Sequence, residues 1–281
     1  MNSIPKNHEK GLLDELKGRG LGPLTVDDFL GGKVRLIQFK EGYRAGMDAV
    51  LLAASIPAAA GERALDLGAA TGAAALCLAA RAPGVFVDGL EIQENLVTLA
   101  KSNIALNNAA AQVTVYHGDF AAGPGGPREI PENSYDHVLA NPPYLERGEA
   151  ISPPATTKGI AYVGGASKLE DWVKFSVSRA KNKGTLSFIF RGDRIGELCH
   201  LLHRRAGELV IFPLWPHAGE PAKRVLVQAR KGLHGAATIA PGLALHGTHE
   251  RYSRAAETVL RGGAAIDLWQ YHRAKKPRAT P

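Results

Sequence analysis

The sequence predicts an α/β fold in which a mainly parallel sheet is covered by helices on both faces. Two observations carry this. From residue 62 onward, short apolar runs alternate with longer segments of helical character. Several of the strand-like runs end in Gly, Asp, Glu or Asn. In a right-handed crossover fold those ends gather ligand-binding groups at one edge of the sheet. A third observation bounds the answer: 281 residues with 45% hydrophobic content suffice for one large core.

Residues 1–22 are polar and charged and read as a flexible lead, with no apolar stretch of the kind a secretory signal needs. TVDDFLGGKVRLIQFKEG reads as a hairpin over 23–42, turning at Gly31-Gly32, and AGMDAVLLAASI as a helix. The core spans 43–231. ERALDLG is a strand and TGAAALCLAARAPG a helix; VFVDGLEI is a strand and QENLVTLAKSNIALNN a helix; QVTVYHGD is a strand. After a Gly/Pro loop at 121–134, YDHVLANPPY is a further strand and SKLEDWVKFSVSRAKNKG a helix. TLSFIF, then the helix RIGELCHLLHRRAG, then ELVIFPLW and KRVLVQARKG complete the pattern. No helix separates the last two strands, so they are expected as an antiparallel hairpin at the sheet edge. Residues 232–265 read as an extension of a single domain and 266–281 as a basic tail. Arg273, Lys275, Lys276 and Arg278 in that tail either grip phosphates or are a solvated end.

Composition narrows the function. The net charge of +7 favours a polyanionic partner such as RNA. The longest apolar run is broken by Pro57 and is too short to span a bilayer. Cys77 and Cys199 lie in apolar helical segments and read as thiols in a reducing cytoplasm. His200 and His203 have helical spacing, but no carboxylate or Cys cluster accompanies them, so no metal is expected.

The chemistry sits at the strand ends. Asp66-Leu67-Gly68-Ala69-Ala70-Thr71-Gly72 is a glycine-rich strand-to-helix turn, which lets backbone approach a ligand closely. Taken alone, such a turn is equally a tight structural connection. The next strand ends in Leu90-Glu91-Ile92, and an acid there can accept from two ribose hydroxyls. The third ends in Gly118-Asp119-Phe120, a carboxylate beside an aromatic ring, suited to the amine and face of an adenine. The fourth ends in Asn141-Pro142-Pro143-Tyr144. In this order the ends describe a nucleoside-cofactor site.

Together DLGAATG, LEI, GDF and NPPY resemble the amino-methylating branch of the class I S-adenosylmethionine-dependent methyltransferases. The resemblance implies a Rossmann-like, seven-stranded sheet with an antiparallel last strand. It implies that Asp66, Gly68, Ala70, Gly72, Glu91, Ile92, Asp119, Phe120 and Asn141 bind S-adenosyl-L-methionine. Gly68 and Gly72 would approach its methionine half, Glu91 its ribose, and Asp119 with Phe120 its adenine. QFKEGYRAGMDAVLLAA, LEDWV, PAKRVLVQARKG and YSRAAETVLRGG add a likeness to the bacterial tRNA(Val) adenine-N6 methyltransferases from residue 25 onward. That likeness implies Arg44 and Asp48 near the cofactor's carboxylate end, although Arg44 could equally cap a helix and Asp48 anchor the hairpin. Two departures stand out. Ala70 replaces the usual glycine, where a Cβ restricts φ. GIAYVGG also follows NPPY in place of the Arg-His-Glu cluster of enterobacterial members, which bears on the RNA target.

NPPY suits an amine for a physical reason. The lone pair of a purine exocyclic amine is delocalised into the ring. The Asn141 side-chain oxygen and the Pro142 carbonyl can accept its two N–H bonds and turn that lone pair toward a sulfonium methyl. Proline rigidity holds the acceptors, fixed dipoles meet the developing charge, and Tyr144 can stack on the ring. No strong general base is required, so orientation and electrostatics carry the rate. The expected substrate is adenine N6 in tRNA, with Arg147, Lys158, Lys168, Lys223 and Arg224 as candidate RNA contacts. A release-factor glutamine presents the same planar NH₂, but the helical bundle that family carries is not found before the cofactor motifs. An rRNA guanine amine would share the chemistry, DNA adenine lacks a target-recognition domain here, and a non-catalytic RNA-binding module would be favoured by Ala70.

Overall fold

The structure is a computed structural model and describes residues 6–121, 126–143 and 167–273. Helix α1 (Lys6–Gly18) comes first. Strands β1 (Leu24–Phe29) and β2 (Val34–Phe39) form the expected hairpin, in register from Leu24↔Phe39 to Phe29↔Val34. Gly31, at φ 65°, makes its turn. Then follow α2 (Met47–Ser55), β3 (Arg63–Leu67), α3 (Ala73–Arg81), β4 (Phe86–Glu91), α4 (Glu94–Leu106) and β5 (Val113–His117). Next are β6 (Tyr135–Ala140), α5 (Leu169–Arg179), β7 (Ala180–Arg191), α6 (Ile195–His203), β8 (Ala206–Trp215) and β9 (Arg224–Lys231). Two-residue strands β10 (Thr238–Ile239) and β11 (Leu243–Ala244), and helices α7 (Arg254–Leu260) and α8 (Trp269–Arg273), end the described chain.

The sheet runs β10-β8-β9-β7-β6-β3-β4-β5, with β11 also on β8. β3 to β7 are parallel neighbours, and β9 is antiparallel to both β7 and β8. The core is thus the Rossmann-like sheet with an antiparallel last strand, plus two short edge strands. Central strands are apolar on both faces because helices cover both. Ala64 and Leu65 of β3 point the two ways, one into each apolar layer, and are fully buried. One apolar layer lies under α2, α3, α4 and α7, and the other under α5 and α6. A third cluster joins α1, the hairpin and α4.

Four expectations change. The lead is helical from Lys6 because Leu12, Leu13 and Leu16 make an apolar stripe, and Leu16 is buried against the α4 cluster. The helix expected over 167–184 stops at Arg179, since Ala180 already pairs with Tyr135 and Lys181 Nζ reaches Asp136 at 2.7 Å. The expected antiparallel hairpin of β8 and β9 forms, with β9 on the inside against β7, but the short strands β10 and β11 pair beyond β8, so the hairpin is not the last of the sheet. The tail is structured through residue 273, where Leu268 and Trp269 are buried.

Candidate active site

The carboxyl ends of β3, β4, β5 and β6 converge on one cleft. It is lined by Gly68, Ala70, Glu91, Ile92, Asp119, Phe120, Asn141, Pro142 and Pro143, all marked by sequence. Tyr43, Leu90, Gln93, Leu96, Gly118, Ser167 and Trp172 complete the lining.

The turn after β3 is built around Glu91. Gly68 and Ala69 both donate their N–H to Leu90 O, at 2.8 and 3.0 Å. This draws the turn across the end of β4. Ala70 N then donates to Glu91 Oε2 at 2.9 Å, and Gln93 N donates to Glu91 Oε1 at 2.9 Å. Glu91 is therefore held rigidly at the cleft wall, 5% exposed. Burial raises its pKa, opposed by the backbone N–H bonds. Each carboxylate oxygen has a second lone pair, so the group can still accept from a ligand diol.

Gly68 has φ 73°, and a Cβ there would come within 2.5 Å of the Trp172 indole. Glycine is thus demanded by backbone conformation and by the ring packed on it. Trp172 meets Phe120 edge-on at 4.9 Å, and Phe120 also leans on Phe175 at 5.3 Å. Asp119 Oδ1 accepts from Ala121 N at 2.8 Å, which fixes the loop after β5. An apolar wall of Leu90, Ile92, Leu96, Phe120 and Trp172 with carboxylates at Glu91 and Asp119 matches a nucleoside: an aromatic base and a hydroxylated sugar.

Other marked residues lie elsewhere. Asp66 is beneath the turn, fully buried, accepting from Ala75 N at 3.1 Å. Gly72, at φ 80°, starts α3 in the left-handed region. Neither lines the cleft. Arg44, expected near the cofactor's carboxylate, instead clasps the hairpin. It donates to Asp27 Oδ2 (2.6 Å), Thr25 Oγ1 (2.8 Å) and Phe39 O (2.7 Å). Asp48 pairs with Arg224 at 3.2 Å across to β9. The partner of Asp48 lies 176 residues along the chain and those of Arg44 are reached only once the hairpin closes, so the sequence could not separate a ligand role from these ties. Tyr144, Arg147, Lys158, the GIAYVGG stretch, Lys275, Lys276 and Arg278 lie outside the described residues. Lys168 and Lys223 are exposed, beside the cleft and at the start of β9. Tyr43 and Trp172 were legible only as letters within QFKEGYRAG and LEDWV. Their signal is an aromatic next to a motif, which periodicity cannot assign to a cleft.

Among the described residues no group of three or more His, Cys, Asp and Glu could hold a metal ion. No described helix is long and apolar enough to cross a membrane.

Residues 45–161 match the family model Methyltransferase small domain. A tRNA1(Val) (adenine(37)-N6)-methyltransferase of Aeromonas salmonicida is 31% identical over 116 residues, 40% of this chain and 45% of that protein. One from Aeromonas hydrophila is 27% identical over 193 residues, covering 68% of this chain and 78% of its own. The chain thus spans about 45% of the length of the first of these relatives. A solved structure from Agrobacterium tumefaciens, described as a predicted O-methyltransferase, superposes with a TM-score of 0.66 at 28% identity, covering 79% of this chain and 99% of that one. The chain has the class I methyltransferase fold, and S-adenosyl-L-methionine is the methyl donor these findings indicate.

Proposed function

We propose that this methyltransferase-fold chain is an S-adenosylmethionine-dependent N-methyltransferase acting on an exocyclic amine, adenine N6 in a tRNA. The observation that carries the reading is the meeting of Asn141-Pro142-Pro143 with Glu91, Asp119 and Phe120 in one cleft. In this reading Glu91 holds the ribose, and Asp119 with Phe120 and Ile92 holds the adenine of the donor. Backbone at Gly68 and Ala70 passes the methionine half. The donor, when bound, supplies an electrophilic methyl group on a sulfonium.

The rest is the work of the chain. Asn141 Oδ1 and the Pro142 carbonyl accept the two N–H bonds of the substrate amine and aim its lone pair. As the nitrogen becomes tetrahedral and positive, these fixed dipoles stabilise it without reorganising. Two acceptors suit an NH₂ with two protons better than a hydroxyl with one, which is why an amine is favoured over an oxygen. The choice of tRNA rests on the activity by which the Aeromonas relatives are named and on the net charge of +7.

Asn141→Ala is expected to slow methyl transfer by about 100- to 1,000-fold, the scale for losing one group that stabilises transition-state charge. Donor affinity, read by calorimetry, should change little. Labelled donor with a tRNA(Val) transcript, rRNA or release factor, followed by product mapping, identifies the substrate. Near-normal turnover by the variant would sink the mechanism, and label only on release-factor glutamine would sink the substrate.

A further inference from the structure

We infer that the face built from the β8 end and the start of α7 is a second RNA contact, stacking a base and binding phosphate away from the methylated nucleotide. The inference rests on the RNA reading above and names the surface that would dock the substrate.

β8 is parallel to β7 and β6, so its carboxyl end lies on the same sheet edge as Asn141. Three strand spacings separate β8 from β6, about 14 Å. Just past β8, the loop at 245–253 is pinned beside the strand end: Leu245 N donates to Trp215 O at 2.8 Å and His246 N to Pro216 O at 3.0 Å. This lines up three rings. His217 and His246 lie 5.3 Å apart, and His246 and Tyr252 stack at 5.7 Å with planes 17° apart. His217, at the end of the column, is exposed. Tyr252 anchors the column on the core, and His217 leaves its other end open to solvent, so the column offers a ready stacking surface for a base.

The column continues into charge. The Arg251 guanidinium lies 5.4 Å over the Tyr252 ring. A shallow cleft begins there, lined by Arg251, Arg254 and Arg261 with Tyr252. Glu250 and Glu257 also line the cleft and offset part of this charge, Glu257 by pairing with Arg261 at 3.0 Å, which leaves Arg251 and Arg254 as the arginines for a phosphate. Arg251 and Arg254 are exposed. Stacking rings joined to arginines are the two elements of sequence-tolerant binding to single-stranded loops. The segment is the YSRAAETVLRGG stretch, which the methyl-transfer cleft leaves unused.

The test uses the full chain, an unmodified tRNA(Val) transcript and a mixed-sequence single-stranded RNA. The variant His217→Ala/Arg254→Ala changes two exposed side chains, so it should fold as the wild type does. RNA affinity is expected to fall roughly 5- to 150-fold, the range of one lost stacking contact. The RNA KM should rise in step, with donor affinity and kcat at saturating RNA unchanged. Arg254→Ala alone should lower the salt dependence of binding by about one charge. Wild-type RNA affinity in the folded double variant would overturn this surface and leave the RNA reading intact. A wild-type chain that binds and methylates no RNA overturns both.

Discussion

Asp66 shows how the cofactor turn is held from below. It is fully buried, and its carboxyl is pushed up from 3.8 to about 7, first by loss of water and further by the nearby Glu91 charge. The bond from Ala75 N opposes the shift without cancelling it. Between those two values the folded chain keeps a proton that the unfolded chain has released. Folding there takes up a proton, so this group's contribution is full below about pH 4 and lost as pH rises through about 7. Glu91 shifts in the same direction. Asp66→Asn keeps an acceptor for Ala75 and should flatten the fall in stability, read as urea midpoints near pH 5 and near pH 7.5. An identical fall in variant and wild type would remove Asp66 as its source. Ala70 poses the opposite problem. Its φ of 48° puts a Cβ in the left-handed region, a cost of about 1–2 kcal/mol. Its methyl is buried with Ile37, Leu96 and Leu99, worth about 0.8 kcal/mol. Its N–H also binds Glu91. These offsets explain why alanine is tolerated where glycine was expected.

The hairpin is tied to the glycine turn by one helix. Asn103 of α4 is fully buried. Its Oδ1 accepts from Ile37 N at 2.6 Å, and its Nδ2 donates to Ile37 O and Thr71 O at 3.0 Å each. One turn on, Asn107 repeats the pattern with Arg35 N and O, at 2.9 and 2.7 Å. The two amides pair with β2 where a third strand would otherwise pair. Asn103→Ala strands three buried backbone groups and should cost about 2–4 kcal/mol. Asn107→Ala, at a partly exposed position, should cost less. Urea unfolding compares them, and an Asn103 variant no worse than the Asn107 variant would refute the clasp. In the sequence NIALNN these residues look like an ordinary polar helix end. Only the hairpin lying on that face makes them structural.

At the scale of the molecule, both ends of the described chain close over the fold. α1 packs on α4 and the hairpin. At the other end Ile266 N donates to Ala54 O at 2.8 Å, Leu268 and Trp269 are buried, and Arg230 lies 5.3 Å over the Trp269 ring. A chain ending at residue 265 loses this burial, about 1.5–3 kcal/mol for each large side chain, against a usual total of about 5–15 kcal/mol. It should unfold at markedly lower urea, and an unchanged midpoint would show that the segment contributes nothing. The strand–helix alternation, the glycine turn, Glu91 and the Asn-Pro-Pro end of β6 were legible because each depends on neighbours within a few residues. The place of β9 was not legible, because insertion between β7 and β8 is a pairing choice made at long range.

The sequence by itself determined the α/β class, the order of the strand ends and the rigid Asn-Pro-Pro end of β6. Backbone conformation and apolar periodicity are local, and crossover handedness then puts those ends on one edge. The tertiary structure decided which groups face the cleft. It drew Arg44 to Asp27 and Asp48 to Arg224, set Asp66 beneath the floor, and brought Trp172 and Tyr43 to the wall. A charge or ring takes the partner that packing brings within reach, and that partner can lie a hundred or more residues away, as Arg224 does from Asp48.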